Sequence, residues 1–153
     1  MSNASDHDEP FFEEIAALLM PWGWPRPVGR MFAYLLVQDA PVTLDQIAAD
    51  LAISKSNASV AARTLEVFGN ARRHAEPGSK RISYSAPDMQ TGPFASRIEM
   101  LAKLARLVDA HTPGRSPAVA TRLENVADFF ARMGAAMHDV IDEGSSTVRH
   151  GRP

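Results

Sequence analysis

The fold is decided by residues 43–86, which have the sequence TLDQIAADLAISKSNASVAARTLEVFGNARRHAEPGSKRISYSA. The first part of this stretch predicts two short helices joined by a tight turn. Thr43 and Gln46 have the spacing of a capping box, in which each side chain satisfies a free backbone N–H of the first helical turn. The apolar residues that follow keep helical spacing, so we expect the first helix to end near Ala52. These residues are Leu44, Ile47, Ala48 and Leu51.

A second helix is predicted to begin after Ser54, whose hydroxyl can cap its N-terminus. We expect the helix to end at Gly69, because glycine accepts the left-handed conformation that helix C-termini often need. Its inward face is expected to carry Ala58, Ala61, Ala62, Leu65 and Phe68. The two helices together therefore predict a helix-turn-helix.

The other face of the second helix carries short hydrogen-bonding groups and two cations, and its first acid is Glu66. A solvated face usually mixes both signs of charge, so this face suits a close approach to polyanionic DNA better than plain solvation does. An ordinary solvent-exposed face is the alternative interpretation. Asn57 can pair with adenine, serine hydroxyls can reach base edges, and the methyl group of Thr64 can contact thymine. The predicted DNA-contacting residues of the two helices are Thr43, Ser54, Lys55, Ser56, Asn57, Ser59, Arg63 and Thr64.

Residues 71–86 predict a two-stranded hairpin with cations at its base and tip. The Pro77-Gly78 dipeptide is a turn signal in the middle of this segment. Residues 82–86 then alternate apolar and polar side chains, which is typical of a half-buried strand. A helix-turn-helix followed by such a hairpin is a winged arrangement.

The cations of this region divide into two predicted roles. Phosphate contacts position a protein on DNA, whereas contacts with base edges specify the sequence. We expect Arg63, Arg72 and Arg73 to contact phosphates. Lys80 and Arg81, at the tip of the hairpin, are candidates for the minor groove, where narrow A/T tracts attract inserted arginine.

The net charge of −2 is unevenly distributed along the chain. Residues 1–53 hold eight acids and two bases, which gives −6, and residues 87–153 hold eight of each. Residues 54–86 hold six bases and two acids, which gives +4. Because salt screens surface charges beyond about 10 Å, this local charge matters more to an approaching phosphate backbone than the overall charge does.

Several classes of function are disfavoured by the sequence. There is no cysteine, which excludes disulfides and thiolate metal sites. The acidic N-terminus and the short apolar run 15–20 match neither a signal peptide nor a membrane span, so we expect a cytoplasmic protein without membrane contact. No nucleophile elbow or phosphate-cradling loop is present, so we expect neither enzyme activity nor a cofactor. His138 and Asp142 have a spacing that could hold a metal, but solvated residues are the commoner case and we predict no metal site.

The segment before residue 43 predicts an arm, a hinge and a helix. A helix capped by Asp8 should run to Met20, with Pro10 in its first turn and Phe11 and Ile15 on its apolar side. Three prolines within residues 21–27 then interrupt it. A further helix is expected over residues 27–38, with its apolar side formed by Val28, Met31, Phe32, Leu35 and Leu36.

The segment after residue 86 predicts two amphipathic helices, the second beginning at Ser116-Pro117. Apolar residues in the last helix recur at alternating spacings of four and three, which is the heptad pattern of a helix that packs on another helix. They are Val119, Leu123, Val126, Phe130, Met133, Met137 and Val140. We expect this seam, together with Phe11 and Ile15, to form a dimer interface. The alternative is packing on residues 8–20 of the same chain. Residues 144–153 lack periodicity and are expected to fray.

These motifs resemble the winged helix-turn-helix of MarR-type bacterial regulators, and especially the GbsR/MarR branch. The similar segments are PRPVGRMFAYLL, SKSNASVAARTLEVFG and a hairpin of the form RR-x-x-x-PGSKR-x-x-Y. The specific resemblance covers residues 24–86, and beyond it only the helical layout is similar. One departure is at the hairpin tip, EPGSKR, because many MarR-like wings carry an aspartate before the tip arginine. In those wings the aspartate holds the tip arginine.

The resemblance implies further properties. MarR-like proteins dimerise by interleaving N- and C-terminal helices, which agrees with the two apolar arms. GbsR-like regulators are associated with choline and betaine metabolism, and aromatic faces attract quaternary ammonium ions. Trp22, Trp24 and Tyr34 are therefore candidate residues for binding a small-molecule effector. The alternative is that both tryptophans simply pack the hinge against the core.

We interpret the chain as a mainly α winged helix-turn-helix protein with a small wing sheet of two or three strands and N- and C-terminal dimerisation helices. The predicted organisation is an arm and hinge (1–25), a DNA-binding domain (26–90), dimerisation helices (91–143) and a flexible tail (144–153). The predicted function is a ligand-responsive repressor that binds a pseudo-palindromic double-stranded operator as a homodimer. The alternative is a winged-helix protein-interaction module that does not bind DNA.

Overall fold

The computed structural model describes residues 5–87 and 93–150, with side chains described for residues 8–87 and 97–144. The chain forms two compact units, Met1–Pro87 and Asp88–Pro153. The first contains α1 (Ser5–Leu19), a 3₁₀ turn (Met20–Trp22), α2 (Arg26–Leu36), β1 (Val42–Thr43), α3 (Leu44–Asp50), α4 (Lys55–Val67), β2 (Arg72–Ala75) and β3 (Ile82–Ser85). The second contains α5 (Pro93–Ala110) and α6 (Pro117–His150). The predicted mainly α class with a small wing sheet is confirmed.

The helix-turn-helix forms where its capping residues predict it. The Thr43 hydroxyl oxygen accepts from the backbone N–H of Gln46 at 3.3 Å and begins α3. The Gln46 side chain, however, donates to Asp50 Oδ1 at 2.7 Å, so the reciprocal half of the predicted capping box is not formed. The side chain is instead directed along α3, where its amide N–H meets a carboxylate one helical turn further on, and hydrogen bonds to charged groups are the stronger ones.

The turn between α3 and α4 contains an unusual backbone conformation. Ala52 has φ +52°, in the left-handed region that favours glycine. Its N–H donates to the Ala49 carbonyl oxygen at 3.3 Å, and the next N–H, of Ile53, donates to the Ala48 carbonyl oxygen at 3.0 Å. This is a Schellman motif with alanine at the position where glycine is usual. It ends α3 and turns the chain toward Ser54.

α4 follows its predicted start and end. The Ser54 hydroxyl oxygen accepts from the backbone N–H of Asn57 at 3.1 Å. Gly69 has φ +69°, and the N–H of Asn70 closes a second Schellman motif on the Leu65 carbonyl oxygen. The predicted buried alanines and Leu65 lie in the core, whereas Phe68 is mostly exposed. Phe68 is the C-cap residue, so its backbone has left the helical path and its side chain diverges from the buried row.

The three strands form one antiparallel sheet in the order β1-β3-β2. Thr43 and His74 both pair with Ser83, one on each side of β3. Tyr84 of β3 is buried in the core. The hairpin turns at Pro77-Gly78, where Gly78 has φ +77° as the third residue of a type II turn requires. This hairpin is the wing that the sequence predicted.

α1 packs on α2 through a different face from the one predicted. Phe12 and Ala16 are buried, whereas Phe11 is exposed. A Cβ atom added at Gly29 of α2 would lie only 2.8 Å from the Ala16 Cα atom, so the two helix backbones meet closely at this glycine. α1 also begins three residues before Asp8, with Pro10 inside the helix. The core of the first unit centres on Phe12, Met31, Tyr34, Leu35, Ile47, Leu51 and Leu65.

α2 starts one residue before the predicted range and ends two residues before its limit. Val28, Met31 and Leu35 are buried as expected, but Leu36 is exposed and Tyr34 is buried instead. The Tyr34 hydroxyl donates to Asp50 Oδ2 at 2.7 Å, so this buried phenol has a hydrogen-bond partner inside the core. The pattern of apolar residues had not included Tyr34 in the buried face.

Arg30 is a buried cation where α1, α2 and the end of α3 meet, and its exposed fraction is 8%. Its guanidinium is ion-paired with Glu9 and Glu13 of α1. Its Nη1 donates to the Leu51 carbonyl oxygen, the C-cap of α3, at 3.2 Å. Such partners are what a buried charge requires. Arg30 therefore connects α1 with the end of α3, where the turn of the helix-turn-helix begins.

In the second unit, α5 and α6 pack against each other. Leu101 and Ala105 of α5 and Ala127 and Gly134 of α6 are buried. α6 continues to His150, whereas the sequence predicted an irregular segment from Gly144. Residues 145–150 contain no proline, and a polar segment that follows a formed helix needs no core spacing to extend its backbone hydrogen bonds.

Candidate nucleic-acid interface

The exposed side of α4 is defined by its buried residues. Successive residues of a helix are turned by about 100°, so the side opposite the buried row Ala58, Ala61, Ala62 and Leu65 can be identified. That side carries Ser56, Val60, Arg63 and Val67, which we call the outer line of α4. All four residues are exposed. Ser56 and Arg63 were predicted to contact DNA, and the structure places them at the outermost part of the helix.

The start of α4 is held to α3 by a charged pair. Lys55 Nζ lies 2.8 Å from Asp45 Oδ1, and both side chains are largely exposed. An exposed pair of this kind contributes little to stability, so the ammonium group can exchange its carboxylate for a phosphate at small cost. Ser54 is exposed, but its hydroxyl oxygen is engaged in the cap. Thr43 is half-buried and its hydroxyl oxygen is also a cap.

The remaining predicted contacts on α4 lie at the flanks of the outer line. Asn57 is exposed, and Ser59 is half-buried. The Thr64 hydroxyl donates to the Val60 carbonyl oxygen at 2.9 Å, and Thr64 is half-buried too. The Thr64 hydroxyl is therefore engaged within the helix. Val60, not Thr64, is the neighbour of Arg63 on the outer line of α4. Sequence reasoning missed Val60, although a β-branched apolar residue on the polar side of a helix was a visible signal.

The wing presents its cations on both faces and at its tip. Arg72 pairs with Ser85 and Arg73 with Tyr84, so the two side chains point to opposite faces of the sheet. Lys80 and Arg81 are exposed beyond the strand end. The backbone N–H of Arg81 donates to the Ser79 hydroxyl oxygen at 3.0 Å. This bond shapes the tip of the wing.

Next to the tip, the outer face of the sheet carries a polar groove of about 500 Å³. It is lined in part by Thr43, His74, Arg81 and Ser83. His74 is half-buried, and its Nε2 lies 2.8 Å from the Ser85 hydroxyl oxygen. The register that pairs Thr43 and His74 with Ser83 explains why these residues meet, and no local sequence motif indicated it.

Most cations of this region are without a carboxylate partner. Among the side chains that the structure describes, none of five has a carboxylate within ion-pair distance: Arg63, Arg72, Arg73, Lys80 and Arg81. Arg26 and Arg30, which lie outside residues 54–86, are both paired with glutamates of α1. Lys55 is therefore the cation of residues 54–86 that has a carboxylate partner among the described side chains, and ion pairs offset little of the local charge of +4.

The three aromatic residues that were predicted to bind an effector lie in different surroundings. Trp22 is 85% exposed, while Trp24 is partly buried and packs edge-on against Phe32 with ring centroids 5.6 Å apart. Tyr34 is 1% exposed in the core. Burial raises the pKa of the Tyr34 phenol well above its ordinary value, and the hydrogen bond to Asp50 and its charge act in the same direction. Tyr34 therefore stays a neutral donor inside the domain.

The predicted seam of α6 divides between two sides of the helix. Val119, Leu123, Phe130 and Met137 are half-buried, and the last three flank Ala127 and Gly134, the residues buried against α5. Three others are exposed: Val126, Met133 and Val140. Together with the exposed Phe129 they lie on one side of the helix, and we call these four residues the apolar row of α6. On α1, Phe11 is exposed and Ile15 packs partly against the core of the first unit.

The described residues provide little for other classes of site. They contain no group of three or more side chains that could hold a metal ion. They also contain no helix that is long and apolar enough to cross a membrane. His138 Nδ1 lies 3.6 Å from Asp142 Oδ2 on exposed α6 surface, one turn apart.

The fold is that of the winged helix-turn-helix transcription regulators: a helix-turn-helix followed by a three-stranded sheet whose hairpin forms the wing. The crystal structure of a transcriptional regulator superposes on the chain with a TM-score of 0.77 and 26% sequence identity, over 92% of this chain and 99% of that one. No protein-family model matches the sequence. No curated protein matches it either.

Proposed function

We propose that this chain is a sequence-specific DNA-binding regulator of transcription, of the MarR type and its GbsR branch. α4 would lie in the major groove with its N-terminal half against base edges, and the wing would contact the adjacent backbone and minor groove. The observation that carries the proposal is a set of five exposed cations on α4 and the wing that have no carboxylate partner among the side chains the structure describes. The other two arginines of the first unit, Arg26 and Arg30, pair with glutamates of α1, whereas these five cations are available to phosphates.

The similarity to a transcriptional regulator supports the same conclusion independently of charge. It extends over nearly the whole of both chains, so it includes the flanking helices as well as the winged helix. In the proposed dimer, the apolar row of α6 packs on its counterpart in a second copy. Two recognition helices would then face a pseudo-palindromic operator about one DNA turn apart.

We also propose that the protein is a repressor released by a small molecule. This part is supported by the resemblance to GbsR-like regulators and by the exposed Trp22 and partly exposed Trp24 near the first helix. A ligand can release the operator only by its differential affinity for two arrangements of the recognition helices.

The experiment that tests DNA binding is selection of bound duplexes from random DNA with the full chain, followed by affinity measurements across salt concentrations. We expect one enriched motif with two half-sites, and an affinity that falls steeply between about 50 and 200 mM salt. Arg81→Ala should reduce the slope of log affinity against log salt by about one.

Arg26→Ala is the matched control, because Arg26 is exposed and ion-paired with Glu13 away from the wing. It should leave the slope unchanged. No enrichment and no salt-sensitive binding would favour the alternative, a winged-helix module that binds only protein. Enrichment of single half-sites would retain DNA binding and contradict the dimeric operator.

A further inference from the structure

Val60 is an apolar residue at a position of α4 that does not contribute to the core. It lies on the outer line of α4, one turn after Ser56 and just before Arg63, and 64% of its surface is exposed. Valine forms helices less well than alanine by roughly 0.5 kcal/mol, because its branched side chain loses rotamer freedom. An exposed valine in mid-helix therefore costs helix stability without a matching gain in core burial.

The neighbours of Val60 are polar groups suited to base edges and phosphates. Ser56 can donate or accept a hydrogen bond, and Arg63 has no carboxylate within ion-pair distance among the described side chains. Thr64 is half-buried and its hydroxyl is bonded to the Val60 carbonyl oxygen at 2.9 Å. Val60 is thus an apolar side chain between two hydrogen-bonding residues of the outer line, Ser56 and Arg63.

The chemistry of the major groove determines what an exposed apolar side chain at this position can contact. The groove is about 12 Å wide and admits one helix, so the outer line of the first two turns faces the base edges. Among the groups that the four base pairs present there, the C5 methyl of thymine is the apolar one. Val60 lies in the second turn of α4, within that part of the helix.

We propose that Val60 is a specificity-determining residue that packs its methyl groups on the C5 methyl of a thymine in each half-site. This inference rests on the proposed function, because it assigns one contact within the same DNA-binding surface. The flanking Ser56 and Arg63 hydrogen-bond to neighbouring groups, so the thymine is selected by shape and apolar contact. The sequence predicted a thymine contact for the methyl group of Thr64, and we assign this contact to Val60 instead.

The test replaces single thymines by deoxyuridine, which removes only the C5 methyl group, in a duplex selected from random DNA by the full chain. For the wild-type chain, we expect one thymine in each half-site whose replacement weakens binding about fourfold, the effect of burying one methyl group. Val60→Ala should bind the thymine and deoxyuridine duplexes equally well. Its folding is not at risk, because Val60 is exposed and alanine favours the helix.

Val67→Ala is the matched control, since Val67 lies on the same outer line and is also mostly exposed. It is about 10 Å further along the axis, near the C-terminal end of α4. This variant should keep the full discrimination between thymine and deoxyuridine.

Three results would overturn the inference. If sequence-selective binding occurs but no thymine replacement depends on Val60, the contact is absent while the proposed function stands. If Val67→Ala removes the discrimination as Val60→Ala does, the effect is a general one on α4. If no duplex is selected at all, the proposed function fails and this contact fails with it.

Discussion

Two glycines show how the environment of a single residue decides the effect of one added methyl group. Gly29 of α2 faces the backbone of α1, and a Cβ atom there would lie 2.8 Å from the Ala16 Cα atom. At Gly134 of α6 the nearest atom is the Leu101 Cβ, at an ordinary contact distance of 3.6 Å. The same substitution at the two positions should therefore have opposite signs.

We expect Gly29→Ala to destabilise the protein by about 1–2 kcal/mol, because the overpacking of two backbones exceeds the gain in helix propensity. Gly134→Ala should stabilise it by up to about 1 kcal/mol, because alanine is the better helix former and the site has room. Chemical denaturation followed by circular dichroism measures both. Equal midpoints for the two variants would show that the α1–α2 contact is looser than the structure indicates.

The turn between α3 and α4 is the element on which the recognition helix depends. Ala52 has a left-handed backbone conformation there and is exposed. Packing of its methyl group therefore does not offset the free-energy cost of the backbone strain. Thr43 and Ser54 cap the two helices on either side, and Arg30 binds the Leu51 carbonyl oxygen from below. The direction of α4 is thus set by short-range geometry together with one long-range contact.

Ala52→Gly should stabilise the protein by about 0.5–1 kcal/mol, because glycine adopts positive φ freely and this gain exceeds its larger entropy in the unfolded chain. Ala49→Gly is the matched control: Ala49 is also exposed, but it lies within helical α3, so glycine there should cost about 1 kcal/mol. Thermal unfolding midpoints distinguish the two. A lower midpoint for Ala52→Gly would contradict the assigned strain.

At the scale of the whole molecule, α6 is longer than its intramolecular partner. It has 34 residues against 18 in α5, and it keeps the apolar row Val126, Phe129, Met133 and Val140 exposed. A strip of this length at heptad spacing is typical of a helix that packs on another chain. The sequence pattern had assigned Phe130 and Met137 to the interface, but both are half-buried and flank the buried Gly134.

The double substitution Phe129→Asp and Met133→Asp should therefore give monomers that bind the selected operator weakly, because two charges would be buried in the proposed interface. Multi-angle light scattering measures the mass, and circular dichroism checks that the chain remains helical. Thr121→Asp, exposed on another side of α6, should leave the mass unchanged. A folded double variant that keeps the wild-type mass would place the interface elsewhere.

The sequence alone determined the features that depend on a few consecutive residues. The caps at Thr43 and Ser54, the stop at Gly69 and the wing turn at Pro77-Gly78 all form where they were predicted, because each uses hydrogen bonds and backbone angles within about five residues. The local charge of +4 is likewise a property of the sequence itself.

Only the tertiary structure decided which sides of the helices are buried and which polar groups find partners. An amphipathic helix specifies an apolar face, but the neighbour that packs on it decides which residues of that face are covered. Phe12 rather than Phe11 enters the core, because α2 approaches α1 along the line of Ala16 and Gly29. Arg30 is engaged because Glu9 and Glu13 of α1 reach its guanidinium, whereas no carboxylate of the described side chains lies within ion-pair distance of Arg63. The DNA contact that we propose for Val60 could be inferred only once the buried side of α4 was known.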